Sequence, residues 1–131
     1  MNLSFFSTSN TDARGELRSF DISKFKKFKI KRFFIINFKN LKIRGNHAHK
    51  KCHQYLICLE GSARINCTNK IDKKSFKISK KDSKGILIQS KTWNTIKPLT
   101  KSCQILCLCS MKYLKNDYVH DYSIFKQNYL K

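Results

Sequence analysis

Short segments of alternating or continuous hydrophobic residues follow one another along the chain. In segment 62–68, apolar and polar residues alternate, which places Ala63 and Ile65 on one face of a strand. Segment 55–59 is apolar at every position, which indicates a strand covered on both faces. With polar clusters read as turns, the pattern predicts strands at 3–7, 15–20, 29–38, 45–49, 54–60, 62–68, 74–78, 85–89, 92–97 and 103–110.

Many short strands at near-regular spacing are typical of a β-sandwich or barrel, the jelly roll included. Only the tail, residues 121–131, has a helical pattern, because Ile124, Phe125 and Tyr129 would share a partly apolar face. A length of 131 residues fits one domain, residues 1–131, with a core large enough to need no disulfides. We therefore expect an all-β domain with a short C-terminal helix.

Composition favours a cytoplasmic globular protein. Hydrophobic residues make up 40% and aromatic residues 12% of the chain, which argues against disorder. No apolar run approaches the length of a membrane span, and residues 1–10 lack the pattern of a signal peptide. The six cysteines contain no C-x-x-C pair, and we interpret them as small buried residues in a reducing cytosol.

The net charge of +20, from 28 Lys and Arg against 8 Asp and Glu, raises the question of a polyanionic partner. The lysines are spread from Lys24 to Lys131 and form no recognisable nucleic-acid module. We therefore favour a solvated basic surface over nucleic-acid binding. The same charge would also attract a small phosphorylated ligand.

The segment 44–50 (RGNHAHK) carries the candidate chemistry. On a strand, His47 and His49 point to the same face, so that two imidazoles can address one ligand. Gly45 permits close approach of a substrate or backbone, while Arg44 and Lys50 bring positive charge to the strand ends.

Three interpretations of these histidines remain open. H-x-H is a common half-site for a metal, but the next carboxylate, Glu60, lies in a turn, and the last histidine, His120, lies near the tail. Acid–base catalysis without a metal suits imidazole, because its unperturbed pKa of about 6.5 lets it take and return protons near neutrality. A purely structural role is the third interpretation, and two histidines on one strand face support it less well than a single histidine would.

The motif and its surroundings resemble the family of sugar 3,4-ketoisomerases, which are cupin β-barrels acting on dTDP-4-keto-6-deoxy-D-glucose. The matching segments span nearly the whole chain: RGEL at 14–17, IKRFFI at 30–35, RGNHAHK at 44–50, HQYLICLEGS at 53–62 and DYVHDY at 117–122. The resemblance implies a cytoplasmic homodimer that exchanges N-terminal strands. It also implies no metal or other cofactor, and a thymidine-diphosphate sugar bound in the mouth of the barrel.

By resemblance, His47 matches the catalytic base and His49 the second active-site histidine. Arg44 and Lys50 match flanking positions, to which we assign phosphate or sugar contacts. Four further residues are candidate substrate-binding residues: Arg14, Phe34, Gln54 and Trp93. Trp93 could equally anchor the core, and Gln54 could equally be a satisfied interior group. Phe34 stands where several members have a tyrosine, which removes a hydroxyl from the site.

Rival functions share the same fold. A 3,5-epimerase of the same sugar nucleotide would use a related barrel and a similar proton abstraction. A metal-dependent cupin is a second enzyme alternative. A non-catalytic barrel that binds sugar or nucleic acid is an alternative from another class, suggested by the +20 charge.

Overall fold

The computed structural model describes residues 7–82 and 84–131. It contains the strands β1 (Ser7–Asp12), β2 (Gly15–Phe20), β3 (Arg32–Asn37), β4 (Arg44–His49), β5 (Gln54–Glu60), β6 (Ser62–Thr68), β7 (Lys73–Ser79), β8 (Ile86–Ile88), β9 (Trp93–Pro98), β10 (Gln104–Cys109) and β11 (Tyr118–Val119). Two 3₁₀ helices lie at Ile22–Lys24 and Lys115–Asp117, and the helix α1 spans Tyr122–Tyr129. None of the described helices is long and apolar enough to cross a membrane.

All strand pairs are antiparallel, and two sheets form the barrel. One sheet has the order β3-β10-β5-β8 and the other β11-β4-β9-β6-β7, while β1 and β2 form a separate hairpin. The inner faces of the two sheets meet in one core, to which the first contributes Leu56 and Ile105 and the second contributes Ala63 and Ile65. The jelly-roll barrel predicted from the sequence is confirmed.

The outer face of the first sheet is also covered. Phe25 packs there against Tyr55, Ile57 and Leu108, because the segment after β2 crosses this face. Strands β5 and β10 are therefore buried on both sides, which explains their continuous apolar sequence. The short helix α1 begins at Asp121, whose carboxylate accepts the backbone N–H groups of two residues in its first turn.

The predicted strands 15–20, 54–60 and 62–68 match the structure to the residue, and the other confirmed strands agree to within three residues at each end. Of the predicted strand 3–7, residues 3–6 lie outside the described residues. The polar strand β1 was not predicted, because it forms by pairing with β2 rather than by burying a face. The two-residue strand β11 was also missed.

Candidate active site

A cavity of about 750 Å³ opens between the two sheets. Its volume lies within the range of about 300–1,000 Å³ that is common for small-molecule sites. Strands from both sheets contribute to its wall, which combines an apolar floor with several polar groups. The residues that line the cavity include Phe34, Arg44, Gly45, His47, Gln54, Cys107, Tyr118 and His120.

The two histidines of β4 lie side by side, as the strand pattern predicts. Their ring centroids are 5.1 Å apart and the rings meet edge to face. His47 lines the cavity, whereas His49 lies behind it and is only 3% exposed. Only His47 is therefore placed to meet a ligand from the cavity side, while His49 lies within reach of His47.

Gly45 permits the close approach of β4 to β9 just before His47. Gly45 adopts φ +88°, and a Cβ there would lie 2.9 Å from the backbone oxygen of Asn94, so that β4 and β9 approach closely only with glycine at this point. Burial, together with the neighbouring His49 and His120, lowers the pKa of His47 to about 4. The ring is therefore neutral at pH 7, and its second nitrogen keeps a free lone pair.

A buried carboxylate holds His49 from behind. The Nδ1 atom of His49 lies 3.0 Å from Oδ2 of Asp117, and the Asp117 side chain is 7% exposed. Asp117 also accepts the backbone N–H groups of Lys51, at 2.8 Å, and Cys52, at 3.4 Å. Since Nδ1–H donates to the carboxylate in this bond, Nε2 of His49 carries the lone pair, and this buried atom has no hydrogen-bond partner among the described residues.

Asp117 lies within the C-terminal segment of the family resemblance, but no sequence pattern connects it with His49. Burial lowers the pKa of His49, while the hydrogen bond to Asp117 opposes that shift. His49 is thus held as a neutral imidazole of fixed tautomer.

Strand β11 brings Tyr118 and His120 to the cavity. The ring of Tyr118 lies 5.3 Å from His47 and 4.3 Å from His49, measured between centroids. His120 is exposed, but it stands at the cavity wall with its ring 5.9 Å from that of His47. Because β11 pairs with β4, His120 lies beside His47 although the two residues are far apart in the sequence.

Three other candidate residues line the cavity as predicted. Arg44 supplies its cationic side chain at the exposed rim, and Phe34 supplies an aromatic face. Gln54 is buried in the wall, where its Nε2 lies 3.7 Å from the sulfur of Cys109. Both interpretations of Gln54 therefore remain compatible with its position.

Three candidate residues lie elsewhere in this chain. Trp93 packs against Tyr122 and Phe125 of the C-terminal helix, at 5.1 Å and 5.6 Å between ring centroids, which favours the alternative role of a core anchor. Lys50 is exposed outside the cavity. Arg14 lies at the β1–β2 turn, where it pairs with Asp12 at 2.7 Å.

Arg32 is a site-supporting residue that sequence reasoning missed. Its guanidinium lies over the rings of Phe34, at 5.3 Å, and Tyr113, at 5.5 Å, and it interacts electrostatically with Tyr118. Its positive charge contributes to lowering the pKa of His49. Arg32 therefore contacts an aromatic ring of the cavity wall and acts electrostatically on His49.

One group among the described residues has metal-ligating atoms close together. The ligand atoms of His49, Cys52 and Asp117 lie within 4.8 Å of one another, and all three residues are buried. Two of these atoms already form the His49–Asp117 hydrogen bond. Hydrogen bonding with Cys109 and burial raise the pKa of the Cys52 thiol, which disfavours the thiolate that a metal requires. The donor set therefore fits a hydrogen-bonded cluster better than a metal centre.

Comparison with known proteins identifies the family of this chain. The family model described as FdtA, WxcM-like, C-terminal, matches residues 1–130. A TDP-4-oxo-6-deoxy-alpha-D-glucose-3,4-oxoisomerase from Aneurinibacillus thermoaerophilus is 32% identical over 122 residues, which are 88% of this chain and 84% of the relative. The chain belongs to this family of sugar 3,4-ketoisomerases. Its activity class is accordingly that of an isomerase.

Solved structures of the family superpose closely. A histidine-to-asparagine variant of the 3,4-ketoisomerase from Thermoanaerobacterium thermosaccharolyticum, in complex with TDP-4-keto-6-deoxyglucose, is 29% identical with a TM-score of 0.80, covering 98% of this chain and 95% of that one. A 3,4-ketoisomerase from Helicobacter canadensis is 29% identical with a TM-score of 0.78, covering 94% and 92%. The epimerase from Mycobacterium tuberculosis, 15% identical with a TM-score of 0.70, covers 87% of this chain and 65% of that one and shares the fold.

Proposed function

We propose that the chain moves the carbonyl of dTDP-4-keto-6-deoxy-D-glucose from C4 to C3 by acid–base catalysis. The observation that carries the proposal is His47: a neutral imidazole on the wall of a cavity of about 750 Å³, in a chain of this family. The sugar nucleotide is the one printed for the relative from Aneurinibacillus and for the complex from Thermoanaerobacterium.

His47 acts as the base that carries the carbon-bound proton. A 4-keto group acidifies the hydrogen on C3, and the free ring nitrogen of His47 removes it to give an enediol shared by C3 and C4. Return of that proton to C4 leaves the ketone at C3. As a neutral imidazole, His47 carries one nitrogen with a free lone pair for this transfer.

His49 and Asp117 support this base from behind. The carboxylate fixes the tautomer of His49, and the edge-to-face contact between the two imidazoles holds the ring of His47 in place. The unpartnered Nε2 of His49 is buried in this cluster, so it is available to His47 as a hydrogen-bond acceptor when His47 becomes protonated.

The cationic surroundings suit a diphosphate. Arg44 is placed at the cavity rim, and the net charge of +20 concentrates anions around the protein. Binding through the diphosphate supplies the positioning that a single proton-transfer group does not provide.

The 3-keto product is suited to amination at C3, so we place the reaction before a 3-amino-3,6-dideoxy sugar of surface glycans. The six free thiols of the chain agree with a reducing compartment, which we take to be the cytoplasm.

The decisive experiment is incubation with dTDP-4-keto-6-deoxyglucose in deuterated buffer, followed by NMR. We expect a 3-keto product with deuterium only at positions that exchange through the C3–C4 enediol. Deuterium at C5 would instead support the rival 3,5-epimerase. The same assay after exhaustive chelation should keep its rate, and a loss that added metal restores would favour the metal-dependent alternative.

The proposed base predicts an unusual dependence of activity on pH. Because the pKa of His47 is lowered to about 4, the base form persists well below the ordinary histidine value of 6.5. We expect kcat/KM to stay level from pH 7 to about 5 and to fall as the pH drops through about 4. Circular dichroism at each pH separates this titration from acid unfolding. An acid limb centred near 6.5 would contradict a buried neutral base.

We also propose the homodimer with exchanged N-terminal strands. Among the described residues the β1–β2 hairpin pairs with no other strand, and β3 is a sheet edge whose outward Phe33 is 66% exposed. An exchanged hairpin would carry Arg14 to the partner subunit, which ties the predicted role of Arg14 to the dimer.

Sedimentation equilibrium should give twice the mass of one chain. The Phe33→Asp variant should be monomeric, and the control Ile71→Asp, at an exposed turn position, should remain dimeric. A monomeric wild type would contradict the dimer.

A further inference from the structure

The mouth of the cavity contains a third histidine that the reaction outlined above does not use. His120 stands on the cavity wall, 5.9 Å from His47 between ring centroids, with its ring nearly perpendicular at 83°. It stacks on Tyr118 with centroids 5.5 Å apart and an interplanar angle of 6°. Unlike His49, which is buried, His120 is exposed and is open to both the cavity and bulk water.

The orientation of this ring is fixed by its neighbours. Tyr118 is held by pairing of β11 with β4, and its ring also lies 5.7 Å from that of Tyr113, measured between centroids. The aromatic face of Tyr118 serves as a platform for His120. The imidazole is therefore a placed group rather than a freely rotating surface side chain.

Moving a carbonyl between adjacent carbons requires two proton transfers. One proton moves from C3 to C4, and the second moves from the oxygen on C3 to the oxygen on C4. His47 is assigned to the carbon-bound proton, so the oxygen-bound proton requires a second proton-transfer group at the cavity wall. The Nδ1 atom of His49 is bonded to Asp117, and its Nε2 is buried behind His47.

We propose that His120 carries the oxygen-bound proton of the isomerisation, an inference that rests on the proposed function. In the first step His47 removes the C3 proton, the C3–H electrons form the C3–C4 double bond, and the C4 oxygen takes a proton from His120. In the second step His120 takes the proton from the C3 oxygen as that carbonyl forms, and the double-bond electrons take the proton from His47 at C4. Both imidazoles return to their starting forms.

Chemical rescue tests this role, because the exposed position leaves room for an added base. His120→Ala should lower kcat by about 10²-fold, the scale of one proton-transfer group. Added imidazole should restore the rate in a concentration-dependent manner. His120→Gln should lose as much activity without rescue, because its side chain fills the space. Lys115→Ala, an exposed change at the start of the same segment, should behave as wild type.

Thermal unfolding and TDP binding of each variant show whether the fold and the nucleotide site are intact. Wild-type activity in His120→Ala would overturn the proposal, and so would a loss that imidazole fails to restore while TDP still binds. Failure of the wild type to isomerise the keto sugar is a separate result, which would refute the proposed function itself.

Discussion

His47→Asn is expected to bind TDP with near wild-type affinity while its turnover falls by about 10²–10⁴-fold, the contribution typical of one acid–base group. Asparagine keeps a polar side chain of similar reach but has no nitrogen that accepts and returns a proton near neutrality. Steady-state turnover of the keto sugar and calorimetric titration with TDP measure the two effects separately.

The same substitution at another histidine provides the control. His53 lies outside the cavity, and its Nδ1 accepts the backbone N–H of Ser90 at 3.0 Å. An asparagine Oδ1 can accept that bond, so His53→Asn should retain activity. Near-normal turnover of His47→Asn would remove His47 from the mechanism, and equal losses in both variants would point to a general effect on the fold.

Asp117→Ala is expected to lower the free energy of unfolding by about 2–4 kcal/mol, because it leaves buried donors without an acceptor. The lost carboxylate is the partner of His49 Nδ1 and of the backbone N–H groups of Lys51 and Cys52. Urea unfolding followed by circular dichroism gives the value.

Asp121→Ala is the matched control for this loss. Asp121 is an exposed N-cap whose carboxylate accepts two backbone N–H groups of α1, and removal of such a cap costs about 1 kcal/mol. An equal decrease in the free energy of unfolding of both variants would contradict a larger contribution of the buried His49–Asp117 pair to stability.

The barrel was readable from the sequence because burial imposes a period of two on its strands. The alternation that begins at Ala63 and Ile65 predicted β6 to the residue, and the apolar run from Tyr55 predicted a strand covered on both faces. The polar strand β1 buries neither of its faces, so it has no hydrophobic pattern from which it could be predicted. Its strand conformation depends on its pairing with β2.

The histidines of β4 were also readable, because residues two apart on a strand share a face. The carboxylate that holds His49 could not be predicted from the sequence. Asp117 lies 68 positions from His49, and the pairing of β11 with β4 brings the two residues together. The same pairing brings His120, which is far from His47 in the sequence, to the cavity wall. Trp93 is covered by α1, the element that follows β11, in line with its alternative role as a core anchor.

Strand β11 has consequences for how this protein can diverge. Tyr118 and His120 face the cavity, while Val119 between them packs on the other side, against Phe125. Inserting or deleting one residue between Asp117 and Asp121 would exchange these faces and turn both rings away from the pocket. This stretch can therefore vary by substitution over evolutionary time, but its length is constrained.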